Sequence, residues 1–141
     1  MKTLRSFIIA CSLLVVCGAA KAAGTDEGNS SKNYVINTYI DAMTRGRLSG
    51  LNDVLDPTVK FSMLRGKHML SFSKKDMLDY LQTSKDVDQN CITNTEIEQS
   101  DANVSVVKVD MKFDGFVRSN YVTLANTGAG WKITNVYSVF K

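Results

Sequence analysis

The stretch NYVTLANTGAGWKITNVY, residues 120–137, holds two runs of alternating residues around a glycine-rich turn. In the first run Val122 and Leu124 alternate with Tyr121 and Thr123, so both faces carry apolar bulk. Asn126 to Gly130 is turn chemistry. In the second run, continued to Lys141, the two-residue period of a strand places Trp131, Ile133, Asn135, Tyr137 and Val139 on one face. Two long strands joined this way predict a sheet, and a sheet with an apolar face needs a cover.

Upstream, the same period continues. VSVVKVDMKF (104–113) places Val107, Val109, Met111 and Phe113 on one face, with Lys108, Asp110 and Lys112 on the other. Asp114-Gly115 is a tight hairpin signal before FVRSNYVTLAN. CITNTEIEQS (91–100) reads as a more polar strand, closed by a turn at 101–103.

The cover comes from the first half of the chain. In KNYVINTYIDAMTRG (32–46), Ile36, Tyr39, Ile40 and Met43 recur at helical spacing. Ser30 or Ser31 can cap this helix and Gly46 can end it. LSGLNDVLDP (48–57) predicts a second, short helix stopped by Pro57. TVKFSML (58–64) alternates as a strand, and RGKHMLSF (65–72) turns at Gly66 and returns. SKKDMLDYLQTS (73–84) is a third helix, with Ser73 and Asp76 spaced as a capping box. Helices beside a strand meander make an α+β domain over residues 33–141, after a polar lead-in at 23–32.

The N-terminal MKTLRSFIIACSLLVVCGAAKAAG (1–24) has the form of a secretory signal peptide: a basic start, an apolar run from Phe7 to Ala20, and Ala20-Lys21-Ala22 as cleavage site. Residues 1–22 are therefore expected to leave on export, to a periplasmic or extracellular destination. Lipid attachment at Cys17 is the rival reading, disfavoured by the branched Val16 before it. The apolar run is shorter than the roughly 20 residues of a membrane span, and no transmembrane segment is expected. Of 17 Lys and Arg against 14 Asp and Glu, the leader holds Lys2, Arg5 and Lys21, so the two signs balance in the remainder. Nothing there argues for nucleic acid, which needs clustered basic residues. Cys91 is left as a lone cysteine, read as a small residue on a half-buried strand.

The order of these pieces resembles the nuclear transport factor 2-like superfamily, and within it the exported lumazine-binding-like group. YIDAMTRGRLSGLNDVLDPTVKF (39–61), SKKDMLDYL (73–81) and NYVTLANTGAGWKITNVY (120–137) carry the resemblance, and the Trp-Lys-Ile-x-Asn run is its most specific part. Arg47 departs from the pattern, which often has an acidic residue or Asn after the joint glycine. The resemblance implies a cone-shaped, cystatin-like α+β fold, with three N-terminal helices packed on a curved antiparallel sheet. It also implies a pocket between the helices and the sheet, and dimers formed through the sheet.

Within that frame Tyr39, Met43, Phe61, Met63, Met111, Phe113 and Trp131 are expected as pocket walls or plain core. Asn135 and Tyr137 are the candidate polar handles, although the plainer reading of Asn135 is a bond to neighbouring backbone. His68, the single histidine, is a weak candidate for a general base, since only Asp76 and Asp79 on the next helix could orient it. No metal cluster, cofactor fingerprint or phosphate loop is present. The expected function is an exported, non-catalytic domain for a small, partly aromatic ligand, acting as a homodimer. The alternatives are an isomerase, dehydratase or cyclase using His68, and a dimeric interaction module.

Overall fold

The computed structural model describes residues 31–141. The expected signal peptide, Cys17 and most of the expected lead-in lie outside the described residues. Helix α1 (Lys32–Arg45) starts at Ser31, whose hydroxyl accepts from the Tyr34 amide at 3.2 Å, and ends at Gly46 in the left-handed region at φ 63°. Its buried side is Val35, Ile36, Tyr39, Ala42 and Met43, the spacing of one helical face.

Helix α2 is a single turn, Leu51–Val54. The chain then enters strand β1 (Leu55–Arg65), so Asp56 and Pro57 lie in a strand rather than ending a longer helix. The ladder skips there, with Leu55 opposite Ile133 and the next partner pair being Lys60 and Asn135. Proline cannot donate to a ladder, and Asp56 Oδ1 instead accepts from Thr58 N at 2.8 Å and Thr58 Oγ1 at 2.6 Å. Strand β2 (His68–Ser73) returns antiparallel to β1. Helix α3 (Lys74–Gln82) follows, with the Ser73–Asp76 capping box in place. The helices are thus not three in a row before the sheet: one precedes it, one is a single turn, and one follows the first hairpin.

Strands β3 (Ile92–Ser100), β4 (Val104–Phe113), β5 (Phe116–Asn126) and β6 (Trp131–Phe140) form the expected meander. The sheet order is β2-β1-β6-β5-β4-β3. All neighbours are antiparallel except β1 and β6, which run parallel, so the sheet is mixed. One hydrophobic cluster joins α1, α2, α3 and the strands, from Tyr39 and Met77 to Val109, Leu124 and Ile133. The helices cover one face, and the other is open. Cys91 sits half-buried just ahead of β3 and packs against this cluster. Among the described residues no helix is long and apolar enough to cross a membrane.

A β-bulge in β6 changes the phase of the last strand. Leu124 pairs with Ile133 but Thr123 pairs with Asn135, which leaves Thr134 as the extra residue. Ile133 faces the helices before the bulge; Val136 and Ser138 face them after it, and all three are buried. Asn135 and Tyr137 therefore lie on the open face, beside Thr123 and Tyr121. The simple alternation that put Trp131, Ile133, Asn135, Tyr137 and Val139 on one face does not survive the inserted residue, because a one-residue slip inverts every later side chain.

Candidate functional site

Strand β5 turns its even-numbered residues toward the helices. Val122 and Leu124 fill the core, while Asn120 and Arg118 bring polar groups to the same face. Asn120 is fully buried. An unsatisfied amide there would cost about 1–3 kcal/mol, and this one is satisfied on both sides. Its Oδ1 accepts from Arg118 Nε at 2.9 Å and from Ser138 Oγ at 2.7 Å. Its Nδ2 donates to Val109 O at 3.3 Å and lies 3.6 Å from Met111 Sδ. Arg118 Nη2 also donates to Ser138 Oγ at 3.3 Å. The bulge at Thr134 is what brings Ser138 into this cluster.

Arg118 is half-buried, and its guanidinium carbon lies 5.7 Å from the Phe140 ring centroid. Phe140 adjoins Phe116 at 6.3 Å, and Phe116 stacks on Phe113 at 4.7 Å. The ion pairs among the described residues are Asp41–Arg45, Lys75–Asp79, and Lys108 with Glu96 and Asp110. None involves Arg118. A cleft of about 560 Å³ opens beside Phe140, lined also by Met63, Leu64, Arg65, Gly66 and Val139. Met63 pairs with Ser138 across the β1–β6 ladder, so the cleft lies beside the cluster at one end of the sheet, while Arg118, Asn120, Ser138 and Tyr39 are not among its lining residues.

Tyr39 of α1 completes the interior. Its side chain is buried, and its hydroxyl has no hydrogen-bond partner among the described residues. Burial pushes the phenol up to about 12, against the opposing positive charge of Arg118. The group therefore stays protonated and remains a donor at neutral pH.

The residues expected from sequence divide into four groups. Tyr39, Met43, Phe61 and Met111 are buried on the helix-covered face, and Met63 and Phe113 border it half-buried. Trp131 sits at the opposite end of β6 from Phe140, with Lys32 Nζ 4.2 Å from its ring centroid. Asn135 and Tyr137 are on the open face. His68 is exposed at the start of β2, opposite Arg65. The two acids that could have oriented it are engaged elsewhere, Asp76 with Ser73 and Asp79 with Lys75. Among the described residues no group of three His, Cys, Asp or Glu could hold a metal.

Sequence reasoning missed Arg118, Asn120 and Ser138. The first two carried a signal, because they share the period of Val122 and Leu124 in FVRSNYVTLAN. Ser138 carried none, since its face depends on the bulge.

The family described as "Putative lumazine-binding" matches residues 30–138. Solved structures with the same fold include a nuclear transport factor 2-like protein of unknown function from Silicibacter pomeroyi, 16% identical, covering 77% of this chain and 90% of that one, with a TM-score of 0.60. Another nuclear transport factor 2-like protein of unknown function, from Methylobacillus flagellatus, is 18% identical over 86% of this chain and 96% of that one, with a TM-score of 0.60. A domain of unknown function with a cystatin-like fold from Nostoc punctiforme is 16% identical over 82% and 78%, with a TM-score of 0.58. At these identities the likeness is one of fold. No curated protein matches.

Proposed function

Because the chain belongs to the "Putative lumazine-binding" family of the nuclear transport factor 2-like superfamily, we propose that it is an exported domain that binds a small, partly aromatic molecule without transforming it. The observation that carries this reading is the polar cluster of Arg118, Asn120 and Ser138 set into a largely apolar interior, with the Tyr39 hydroxyl buried, unpartnered and within reach of the Arg118 charge. A few convergent polar groups in apolar surroundings are what a small-molecule site needs for orientation and specificity. Ligand walls would come from Tyr39, Phe61, Met63, Met111, Phe113 and Phe140.

The non-catalytic reading rests on the lack of an oriented acid–base pair among the described residues. His68 is exposed and its neighbouring acids are engaged, so the isomerase, dehydratase or cyclase alternative lacks a positioned base. The open face of the sheet, where Val106, Tyr121, Tyr137 and Val139 are half-buried, is the proposed homodimer surface.

Native mass spectrometry of the protein purified from its own host tests both parts. The expected result is a dimer whose subunits each carry a few hundred daltons that vanish on denaturation. A bare monomer would contradict the proposal.

A further inference from the structure

The chemistry of the Arg118 cluster narrows the ligand class. Resting on the binding reading above, we infer that the ligand carries a carboxylate, held by Arg118 with the Tyr39 hydroxyl as a second donor, and an apolar or aromatic body against Phe140 and Met63.

The guanidinium has five N–H donors. Nε is committed to Asn120 Oδ1 and one Nη2 hydrogen to Ser138 Oγ. Three donors stay without a protein acceptor among the described residues, including both on Nη1. Nη1 and the second Nη2 hydrogen form the end-on fork, the geometry that takes a carboxylate through two parallel bonds.

A cation withdrawn partly from water loses solvation that a counter-charge normally restores. Arg118 has no carboxylate partner among the described residues, whereas Lys108 on the open face has both Glu96 and Asp110 within 4 Å. Asn120 and Ser138 offset part of this loss as neutral acceptors. They also fix the orientation of the guanidinium, which makes Asn120 a positioning residue.

Tyr39 supplies an independent observation. Its hydroxyl is buried and unpartnered, and it lies within range of the Arg118 charge. A buried O–H donor that feels the guanidinium charge suits an acceptor with negative charge better than a neutral one. The Phe140 ring and the cleft beside Met63 offer the apolar body its surface.

The test uses matched pairs: 1-naphthoate with 1-naphthamide, and indole-3-acetate with indole-3-acetamide. Each is titrated calorimetrically into the full chain as its host produces it. The acids are expected to bind at least tenfold more tightly than their amides. Arg118→Gln should abolish that preference and Arg118→Lys should keep part of it. Tyr39→Phe should weaken the acids severalfold while leaving the melting temperature unchanged or slightly raised, because the hydroxyl it removes makes no bond in the free protein. Amides that bind as tightly as acids would overturn the carboxylate assignment and leave the binding reading intact. An acid preference that survives Arg118→Gln in a folded variant would do the same. Failure of all four probes to bind would count against both.

Discussion

Gly46 is the residue on which the joint between α1 and the loop after α3 depends. Its φ of 63° favours glycine, and its carbonyl accepts from the Asp86 amide at 3.0 Å. A Cβ at this position would collide with Ser84 O, Asp86 N and Val87 N, all of them backbone atoms that cannot swing aside. Gly66 has a nearly identical φ of 64° but open space around it. The left-handed conformation alone costs an L-residue about 1–2 kcal/mol. Gly66→Ala should therefore lose about that much, and Gly46→Ala distinctly more, as read from urea unfolding midpoints. Equal losses would show that the loop yields to the added methyl group. The helix-ending role of Gly46 was readable from sequence; its close approach to the backbone of residues 84–87 was not, because no local pattern encodes a contact made forty residues away.

Elements that rest on local chemistry were the legible ones. The capping box of α3 is such a case: Ser73 Oγ accepts from Asp76 N at 3.2 Å, and Asp76 Oδ2 accepts from Ser73 N at 2.9 Å and Ser73 Oγ at 2.6 Å. The Ser73 side chain and then its amide hold the Asp76 carboxyl below its ordinary value. Asp56 is lowered by the Thr58 hydroxyl and amide, and Asp101 by the Asn103 and Val104 amides. A carboxyl whose folded pKa is depressed adds stability above its unfolded value, and that stability is lost as pH falls through the folded value. The protein should thus weaken progressively below about pH 4. Ser73→Ala should cost about 1 kcal/mol at pH 7, and less at a pH below the lowered folded value of Asp76, where the protonated carboxyl accepts more weakly. A cost independent of pH, measured by urea unfolding at both values, would remove Asp76 from the cap. The bulge at Thr134 shows the opposite case. β6 reads as uninterrupted alternation, and the inserted residue shows only in its antiparallel pairing to β5 on one side and its parallel pairing to β1 on the other. That single residue separates the expected handles, Asn135 and Tyr137, from the interior and delivers Ser138 to it.

At the scale of the molecule, the α+β class followed from periodicity and turn residues. The parallel contact of β1 with β6 did not, since periodicity says that a strand forms and not which strand it joins. This contact joins the first strand to the last and places Met63 beside Ser138. The account consequently turns on which side of the sheet receives a ligand. Nuclear magnetic resonance of side-chain N–H groups tests it directly, in a titration of the full chain with 1-naphthoate. The account predicts that the Arg118 Nε and Asn120 Nδ2 signals move on binding while the Asn135 amide stays in place. Movement of Asn135 with Arg118 and Asn120 unchanged would put the ligand on the open face and contradict it.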